Sequence, residues 1–292
     1  MSQPTNSGVG TVGRMRAWIN GDLLSTPQAP AVSVLDHGMI VGDGVFETVQ
    51  ILRGQPFALT RHLVRLTGSA EGLGIGRPDI EALREGVAAT LDGQGIDFGR
   101  IRITVTSGPG PLGSPRGDAG QTVIVISEPC ERVAATTAVS TVPWPRNEHG
   151  ALAGLKTTSY AENALMLEHV KARGATEAVM ANTAGAVCEG TGSNIFYVLD
   201  GELVTPSLQS GCLAGITRAL LLEWCGDDGL EVAERDEPID VLRRAEEIFL
   251  ASTIRDVQAI HRVDDRTLDA PGPITKRAMD IWTEHSVEDV DP

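Results

Sequence analysis

The sequence predicts a two-domain protein of mixed α-helices and β-strands, and three observations support this fold class. The chain has 292 residues, which suits two domains of ordinary size. Apolar residues make up 41% of the chain, enough to fill two cores, whereas aromatic residues contribute only 4%. The 33 glycines favour a loop-rich α/β enzyme over a helical bundle or a β-sandwich.

Strand and helix patterns define a predicted N-terminal domain over residues 14–128. A strand over residues 15–20 ends at an Asn-Gly hairpin turn. An amphipathic helix begins at Thr60, and another covers residues 78–91. Residues 100–106 alternate apolar and polar side chains, which is the pattern of a strand with one buried face.

A larger C-terminal domain, residues 134–292, follows a predicted linker at residues 129–133, where the composition shifts. Its predicted strands lie near residues 138–142, 177–181, 194–199 and 247–251, and its predicted helices cover about 159–173 and 217–224. Residues 1–13 are polar and lack a hydrophobic core, so we expect disorder there and no signal peptide.

Composition and charge exclude several classes of function. The net charge of −15 argues against binding to nucleic acid or to anionic membrane surfaces, and no apolar segment approaches membrane-spanning length. The four cysteines show no CxxC spacing, as is typical of reduced thiols in a cytoplasmic protein. The six histidines show no HxH or HxxxH spacing, so no metal site is expected.

Lys156 carries the first chemical signal. It closes a short stretch of small and apolar residues, and Ser159 with Glu162 predicts a helix start by a capping box. A lysine among apolar residues loses hydration, and its amine then becomes a usable nucleophile toward a carbonyl group. Taken alone, a lysine at a helix start is more often simply solvated.

Two further segments offer groups for a charged cofactor. Glu189 stands before a glycine turn that leads into an apolar strand, where a carboxylate is costly without a partner. Residues 215–217 begin a predicted helix whose free amides and Thr217 hydroxyl suit an anion. Alone, Glu189 is equally well explained as a turn carboxylate, and the helix start as an ordinary cap.

A predicted helix near residues 59–66 presents Arg65 beside an apolar face, and a guanidinium group suits a phosphate dianion. Alone, Arg65 would be a surface arginine. Together these groups indicate pyridoxal 5'-phosphate (PLP). The lysine suits its aldehyde, the carboxylate suits its pyridinium nitrogen, and the helix start and the arginine suit its phosphate. The protonated ring of PLP accepts the electrons left when a Cα–H bond breaks.

The order of these motifs resembles that of the class IV (fold type IV) PLP-dependent aminotransferases. Residues 36–48, DHGMIVGDGVFET, look like the opening signature of that family. HLVRL at 62–66 resembles its phosphate-arginine helix, and EGTGSNIF at 189–196 its pyridine-nitrogen segment. The resemblance spans about residues 15–262. It implies a small N-terminal and a larger C-terminal α/β domain with the active site between them.

On this resemblance, Lys156 forms the internal aldimine and carries the proton during catalysis, while Glu189 pairs with the ring nitrogen. The resemblance gives the phosphate four ligands and one weaker candidate: Arg65, Ile216, Thr217, Thr253 and, less strongly, Ser252. Leu213 would lie against a ring face. Phe46 and Tyr160 are candidates to border the substrate, although a core or surface position explains Tyr160 equally well. The family is typically homodimeric and acts on small amino acids and keto acids.

Three activities share this scaffold: branched-chain aminotransferase, D-amino acid aminotransferase and 4-amino-4-deoxychorismate lyase. Branched-chain enzymes usually carry Asn-Tyr four and five residues after the lysine, where this chain has Tyr160 and Ala161. Typical D-amino acid enzymes carry an Arg-x-His carboxylate trap that the loop at 107–118 lacks, which leaves Arg102 or Arg116 for the substrate carboxylate. A solvated strand arginine is the alternative for Arg102.

Residues 146–156 resemble the segment before the lysine in the lyases, although those enzymes commonly carry Asn where Ser159 stands. We favour a transaminase for D-amino acids, with the pyruvate-eliminating lyase as a near-equal alternative and branched-chain activity less favoured. A noncatalytic PLP-binding protein would carry the same residues. Turnover of an amino donor with a keto acid would exclude that last possibility.

Overall fold

The computed structural model describes residues 15–292, and the chain divides into two compact units. The first unit ends at Glu131 and the second begins at Arg132. The segment predicted to be disordered, residues 1–13, lies outside the described residues. Among residues 15–292, no helix has the length and apolar character needed to cross a bilayer.

The first unit is a six-stranded antiparallel sheet packed against two long helices. Its strands, in the order β2-β1-β6-β5-β3-β4, are β1 (Arg16–Ile19), β2 (Asp22–Leu23), β3 (Gly44–Leu52), β4 (Gln55–Pro56), β5 (Phe98–Thr106) and β6 (Thr122–Pro129). Its helices are α1 (His37–Ile40), α2 (Leu59–Leu73) and α3 (Ile80–Leu91). Leu63 and Leu66 of α2 and Leu83 of α3 join the sheet residues in one buried core.

The predicted alternation in β5 is confirmed. Ile101, Ile103 and Val105 are fully buried in the core of the first unit, whereas Arg100 and Arg102 are exposed. Because successive side chains of a strand point to opposite faces, one face of β5 packs against the helices and the other carries both arginines. The sheet therefore displays Arg102 on a surface away from the core.

The second unit is built on a nine-stranded mixed sheet. Its strands are β7 (Thr136–Thr141), β8 (Glu177–Ala181), β9 (Val187–Gly190), β10 (Asn194–Leu199), β11 (Glu202–Thr205), β12 (Val232–Glu234), β13 (Glu247–Ser252), β14 (Asp256–Val263) and β15 (Arg266–Thr267). They run in the order β12-β11-β10-β13-β14-β7-β8-β9, with β15 paired to β14. Its α-helices are α4 (Ala161–Lys171), α5 (Ile216–Asp227) and α6 (Pro273–Glu288), and short 3-10 helices cover Leu208–Ser210 and Ile239–Arg243.

The start of α4 differs from the sequence prediction. Tyr160, not Ser159, occupies the N-cap position, and no side chain caps the helix there. The buried face of α4 does not include all of its apolar residues, because Leu165 is 59% exposed while Asn163, Met166 and Val170 are buried. Met166 and Val170 pack with Ala178 and Met180 beside β8. Packing against the sheet, and not apolar character alone, therefore decides which face of α4 is buried.

Helix α6 is absent from the sequence prediction, and its start depends on a distant side chain. The Glu247 carboxylate accepts hydrogen bonds from the amides of Ile274 (3.1 Å) and Thr275 (2.7 Å), which have no partner inside the helix. A Cβ atom at Gly272 would lie 2.2 Å from Cδ of Glu247, so only glycine fits there. Since Glu247 begins β13, the sheet itself supplies the cap of α6.

Candidate active site

Lys156 lies in the partly buried loop that leads into α4. Its Nζ atom is 5.9 Å from the centroid of the Tyr160 ring. Burial raises the pKa of the Glu189 carboxyl group, and the positive charge of Lys156 is among the influences that partly offset this rise. The structure therefore brings together the predicted nucleophile and the predicted ring-nitrogen carboxylate, with Tyr160 beside the lysine.

Glu189 is a buried carboxylate on β9, 9% exposed. Its Oε2 atom accepts a hydrogen bond from the Leu213 amide at 2.9 Å, and its Oε1 atom lies 3.3 Å from Nη2 of Arg146. Burial raises the pKa of Glu189, and the charges of Arg146 and Lys156 and the Leu213 amide only partly offset that rise. A cationic group against Glu189 would therefore stabilise its charged form further.

Arg146 is a site residue that sequence reasoning missed. Its amide donates to the Ala181 carbonyl at 2.8 Å, which fixes its backbone beside the end of β8. Its guanidinium reaches both Glu189 and Oδ1 of Asn163, the latter at 3.4 Å. Its Nε atom is buried without a hydrogen-bond partner among residues 15–292. No periodic pattern surrounds Arg146, so the sequence alone does not separate it from an exposed loop arginine.

The turn before α5 presents backbone amides at a helix start. The Leu213 carbonyl accepts from Nδ2 of Asn194 (2.9 Å) and from the Gly215 amide (2.8 Å). A Cβ atom at Gly215 would lie 2.0 Å from Oδ1 of Asn194, so the turn requires glycine. Ile216 and Thr217 follow as the first residues of α5, where amides without intrahelical partners attract anions.

Ser252 and Thr253 lie close to this turn because of strand register. Asn194, at the start of β10, pairs with Ala251 of β13, and Ser252 ends β13. Asn194 also donates a hydrogen bond to the turn before α5, so it connects the end of β13 with the start of α5. The predicted phosphate ligands of the second unit are thereby gathered at the same end of the sheet.

The other predicted site residues belong to the first unit. Arg65 on α2 makes a two-point ion pair with Glu47 of β3, with Nε–Oε1 and Nη2–Oε2 distances of 2.7 and 2.6 Å. Nδ1 of His62 lies 2.7 Å from Oε2 of the same carboxylate. Burial alone would raise the pKa of Glu47, but the charge and hydrogen bonds of Arg65 and His62 lower it to about 2. Arg65 is thus fixed by a carboxylate that is itself fully buried.

Arg102 and Arg116 differ in how they are held. The Arg102 guanidinium carbon lies 3.8 Å from the centroid of the buried Phe46 ring, a cation–π contact on the exposed face of β5. Arg116 makes a two-point ion pair with Asp43 and donates to the carbonyls of Leu73 and Gly74. Arg116 therefore anchors its loop to the end of α2.

Comparison with known proteins identifies the family. The family model for class IV amino-transferases matches residues 44–263. The chain belongs to the class IV aminotransferases. The predicted fold type IV is confirmed, because the solved structure of a fold IV transaminase from Curtobacterium pusillum matches 94% of this chain with a TM-score of 0.83 and 27% identity.

Relatives of this class IV aminotransferase carry different names. It is 33% identical to a protein of Methanocaldococcus jannaschii provisionally named branched-chain-amino-acid aminotransferase, over 92% of this chain and 96% of the relative. It is 30% identical to the D-alanine aminotransferase of Bacillus licheniformis, over 91% and 95%. The structure of a branched-chain aminotransferase from Thermoproteus uzoniensis with norvaline matches with a TM-score of 0.86, 29% identity and 94% coverage of both chains.

Class IV aminotransferases depend on PLP, and the second unit of this enzyme fits that cofactor. The amine of Lys156 suits an aldehyde, and the buried Glu189 suits a protonated ring nitrogen. No side chain caps the start of α5, so the first amides of this helix are not engaged by a capping side chain and suit a phosphate. These residues thus match the aldehyde, the ring nitrogen and the phosphate of PLP.

The ion pair between Glu47 and Arg65 makes the free energy of unfolding of this enzyme depend on pH in the acidic range. The pKa of Glu47 falls from 4.5 to about 2 on folding, so its contribution is complete above pH 4.5 and is lost as the pH falls toward 2. We expect the free energy of unfolding to decrease across this range by on the order of 3 kcal/mol more in the wild type than in Glu47→Gln. Denaturant titrations at a series of pH values measure this.

Glu71→Gln, an exposed glutamate of α2, is the matched control and should keep the steep dependence of the wild type. Parallel pH profiles for the wild type and Glu47→Gln would contradict the stabilising role of the Glu47–Arg65 pair.

Proposed function

We propose that this enzyme is a transaminase that moves an amino group between a D-amino acid and a 2-keto acid. The observation that carries the proposal is the coupling of Lys156 to the buried Glu189, itself held by Arg146 and the Leu213 amide. This arrangement offers a nucleophilic amine and a fixed negative charge to one ligand. The D-alanine aminotransferase among its relatives supports D-amino acid use.

In the proposed mechanism, the amine of Lys156 would hold the cofactor through its aldehyde and would serve as the acid and base that moves the proton at the substrate Cα. When bound, PLP supplies a protonated ring that accepts the electrons of the broken Cα–H bond. Glu189 would keep the proton on the ring nitrogen, and Arg146 and the Leu213 amide hold Glu189 in place. The amides of Ile216 and Thr217 and the hydroxyls of Ser252 and Thr253 would hold the phosphate.

We assign the substrate carboxylate to Arg102 and not to Arg116. Arg116 is engaged by Asp43 and by two backbone carbonyls, so binding a substrate would break those contacts. Arg102 lies against the Phe46 ring on the exposed face of β5, where a guanidinium group suits the planar, two-point recognition of a carboxylate. Arg65 as a phosphate ligand stays a prediction from the family resemblance.

We also propose that the enzyme acts as a cytoplasmic homodimer, as its family resemblance implies. Apolar side chains are exposed along residues 32–41 of the first unit, namely Val32, Val34, Leu35, Met39 and Val41. A patch of this kind marks an interaction surface in a soluble protein. The mass in solution, measured by light scattering, tests the dimer.

The proposed half-reaction is visible in the absorption spectrum of the PLP-loaded enzyme. We expect D-alanine or D-glutamate, added without a keto acid, to convert the band of lysine-bound cofactor into that of its amine form. Lys156→Ala should lose both the initial band and the conversion, because no amine remains to bind the aldehyde or move the proton. Lys171→Ala, an exposed lysine paired with Glu168, should behave as the wild type.

Other outcomes of this experiment assign other functions. Conversion by L-leucine and not by D-amino acids would overturn the D-specific proposal in favour of branched-chain transamination. No conversion by any amino acid, with pyruvate released from 4-amino-4-deoxychorismate, would make the enzyme a lyase.

Arg102→Ala should weaken binding of the substrate carboxylate by about 1–3 kcal/mol, the usual cost of a lost charge-assisted hydrogen bond. Steady-state kinetics should show a raised KM for the amino donor. Arg100→Ala is the matched control, since Arg100 lies on the same exposed face of β5 but pairs with Glu128. An unchanged KM and kcat in Arg102→Ala would remove Arg102 from the substrate site.

A further inference from the structure

Glu177 is a buried carboxylate that no step of the proposed mechanism uses. It begins β8, is 3% exposed and has donors on both of its oxygens. Its Oε1 atom accepts from the amide of Thr191 at 2.9 Å and from the Thr191 hydroxyl. Its Oε2 atom accepts from the Ser193 hydroxyl at 3.2 Å and lies 3.5 Å from Nη2 of Arg255. A carboxylate removed from water needs such hydrogen-bond donors and cations to offset the loss of its hydration.

These contacts fold the glycine turn that follows Glu189 onto the Glu177 carboxylate. The Gly190 amide donates to the Ser193 carbonyl at 2.8 Å, which closes the turn. A Cβ atom at Gly190 would lie 2.5 Å from Oγ of Ser193 and 3.1 Å from Cγ of Glu177. The folded turn therefore leaves no room for a side chain at position 190. Since Gly190 is bonded directly to Glu189, this turn fixes the strand end that carries the ring-nitrogen carboxylate.

A second path leads from the same turn back to Glu189. Nδ2 of Asn163 donates to the Thr191 carbonyl at 2.6 Å, and Nη2 of Arg146 lies 3.4 Å from Oδ1 of Asn163. Arg146 in turn pairs with Glu189 at 3.3 Å. Displacement of Thr191 would therefore disturb Glu189 through the backbone and also through its cationic partner.

The other end of the network reaches the predicted phosphate turn. Arg255 stands two residues after Thr253, in the connection between β13 and β14. Its guanidinium donates to the Thr176 carbonyl at 3.1 Å and to Oε1 of Gln258 at 2.5 Å, in addition to its pairing with Glu177. Glu177 thus contacts one segment next to Glu189 and another next to Thr253.

We infer that Glu177 is a positioning residue of the cofactor site: it holds the Thr191–Ser193 turn and ties it to the segment that carries Thr253. The inference rests on the proposed function only for the roles of Glu189 and Thr253 toward PLP. Glu177 acts through these residues. Its negative charge matters, because donors converge on it from the Thr191–Ser193 turn and from Arg255, in addition to the amide of the next residue, Ala178.

Glu177→Gln tests this with almost no change in volume. In either orientation of the amide, its NH2 group faces donors: the Thr191 amide on one side, Arg255 on the other. We expect the dissociation constant for PLP, measured by titrating the apo protein and following cofactor absorption, to rise about tenfold. Glu168→Gln, an exposed acid-to-amide change on α4, should bind PLP as the wild type does.

Thr191→Val provides a second variant should Glu177→Gln fail to fold, because it keeps the shape of the side chain and removes only one hydroxyl donor to Glu177. It should raise the dissociation constant several-fold at an unchanged unfolding temperature. In a Glu189→Gln background, Glu177→Gln should add less than it does in the wild type, since part of its effect passes through Glu189.

Wild-type PLP affinity in both Glu177→Gln and Thr191→Val would overturn the inference, whatever their unfolding temperatures. Fully additive effects of Glu177→Gln and Glu189→Gln would overturn the path through Glu189. Failure of the proposed function is a separate result, because it would show as an unreactive PLP-loaded wild type, whereas this titration needs no substrate.

Discussion

The candidate site depends on the buried carboxylate of Glu189. A carboxylate removed from water is costly unless hydrogen bonds and a cation compensate for the loss of hydration. Here the compensation comes from the Leu213 amide, from Arg146 and from the charge of Lys156. These groups come from separate segments of the second unit, so the charge forms a stable site only once the sheet and its connections have assembled.

Sheet register explains how an anion site and a carboxylate site arise in the same unit. Asn194 begins β10, pairs with the end of β13 and also donates to the Leu213 carbonyl. Leu213 belongs to both sites, because its amide binds Glu189 and its carbonyl shapes the glycine turn before α5. A ligand with a cationic ring nitrogen at one end and a phosphate at the other matches this pairing of features. In the proposed mechanism, transamination requires one further group at such a ligand site, a nucleophilic amine, and Lys156 would supply it.

Features set by local patterns could be predicted from the sequence. The alternation in β5 follows from one face being buried, and the segment 194–199 was correctly placed as a strand because it is continuously apolar. The family could be predicted because the order of several short motifs is far more specific than any one of them. The roles expected of Lys156 and Glu189 rest on that order and stay predictions, while the structure places the two residues within electrostatic reach of each other.

Features set by long-range contacts could not be predicted. The start of α6 depends on Glu247, a strand residue far from it in the sequence. Leu165 of α4 is exposed although it is apolar, because packing beside β8 selects Met166 and Val170. Arg146 lacks a pattern of its own and acquires its role only when β8 and β9 pair and bring Glu189 beside it.

The most direct test of the central claim is to compare Glu189→Gln with the wild type in two measurements on the PLP-loaded protein. Rapid-mixing absorption gives the rate of conversion by an amino donor, and titration of the apo protein gives the affinity for PLP. We expect the rate to fall about 100-fold or more, because a neutral amide no longer keeps the ring nitrogen protonated, with less than about tenfold loss of affinity. Equal losses in rate and affinity would mean that Glu189 serves only the structure of the site, which would contradict the account.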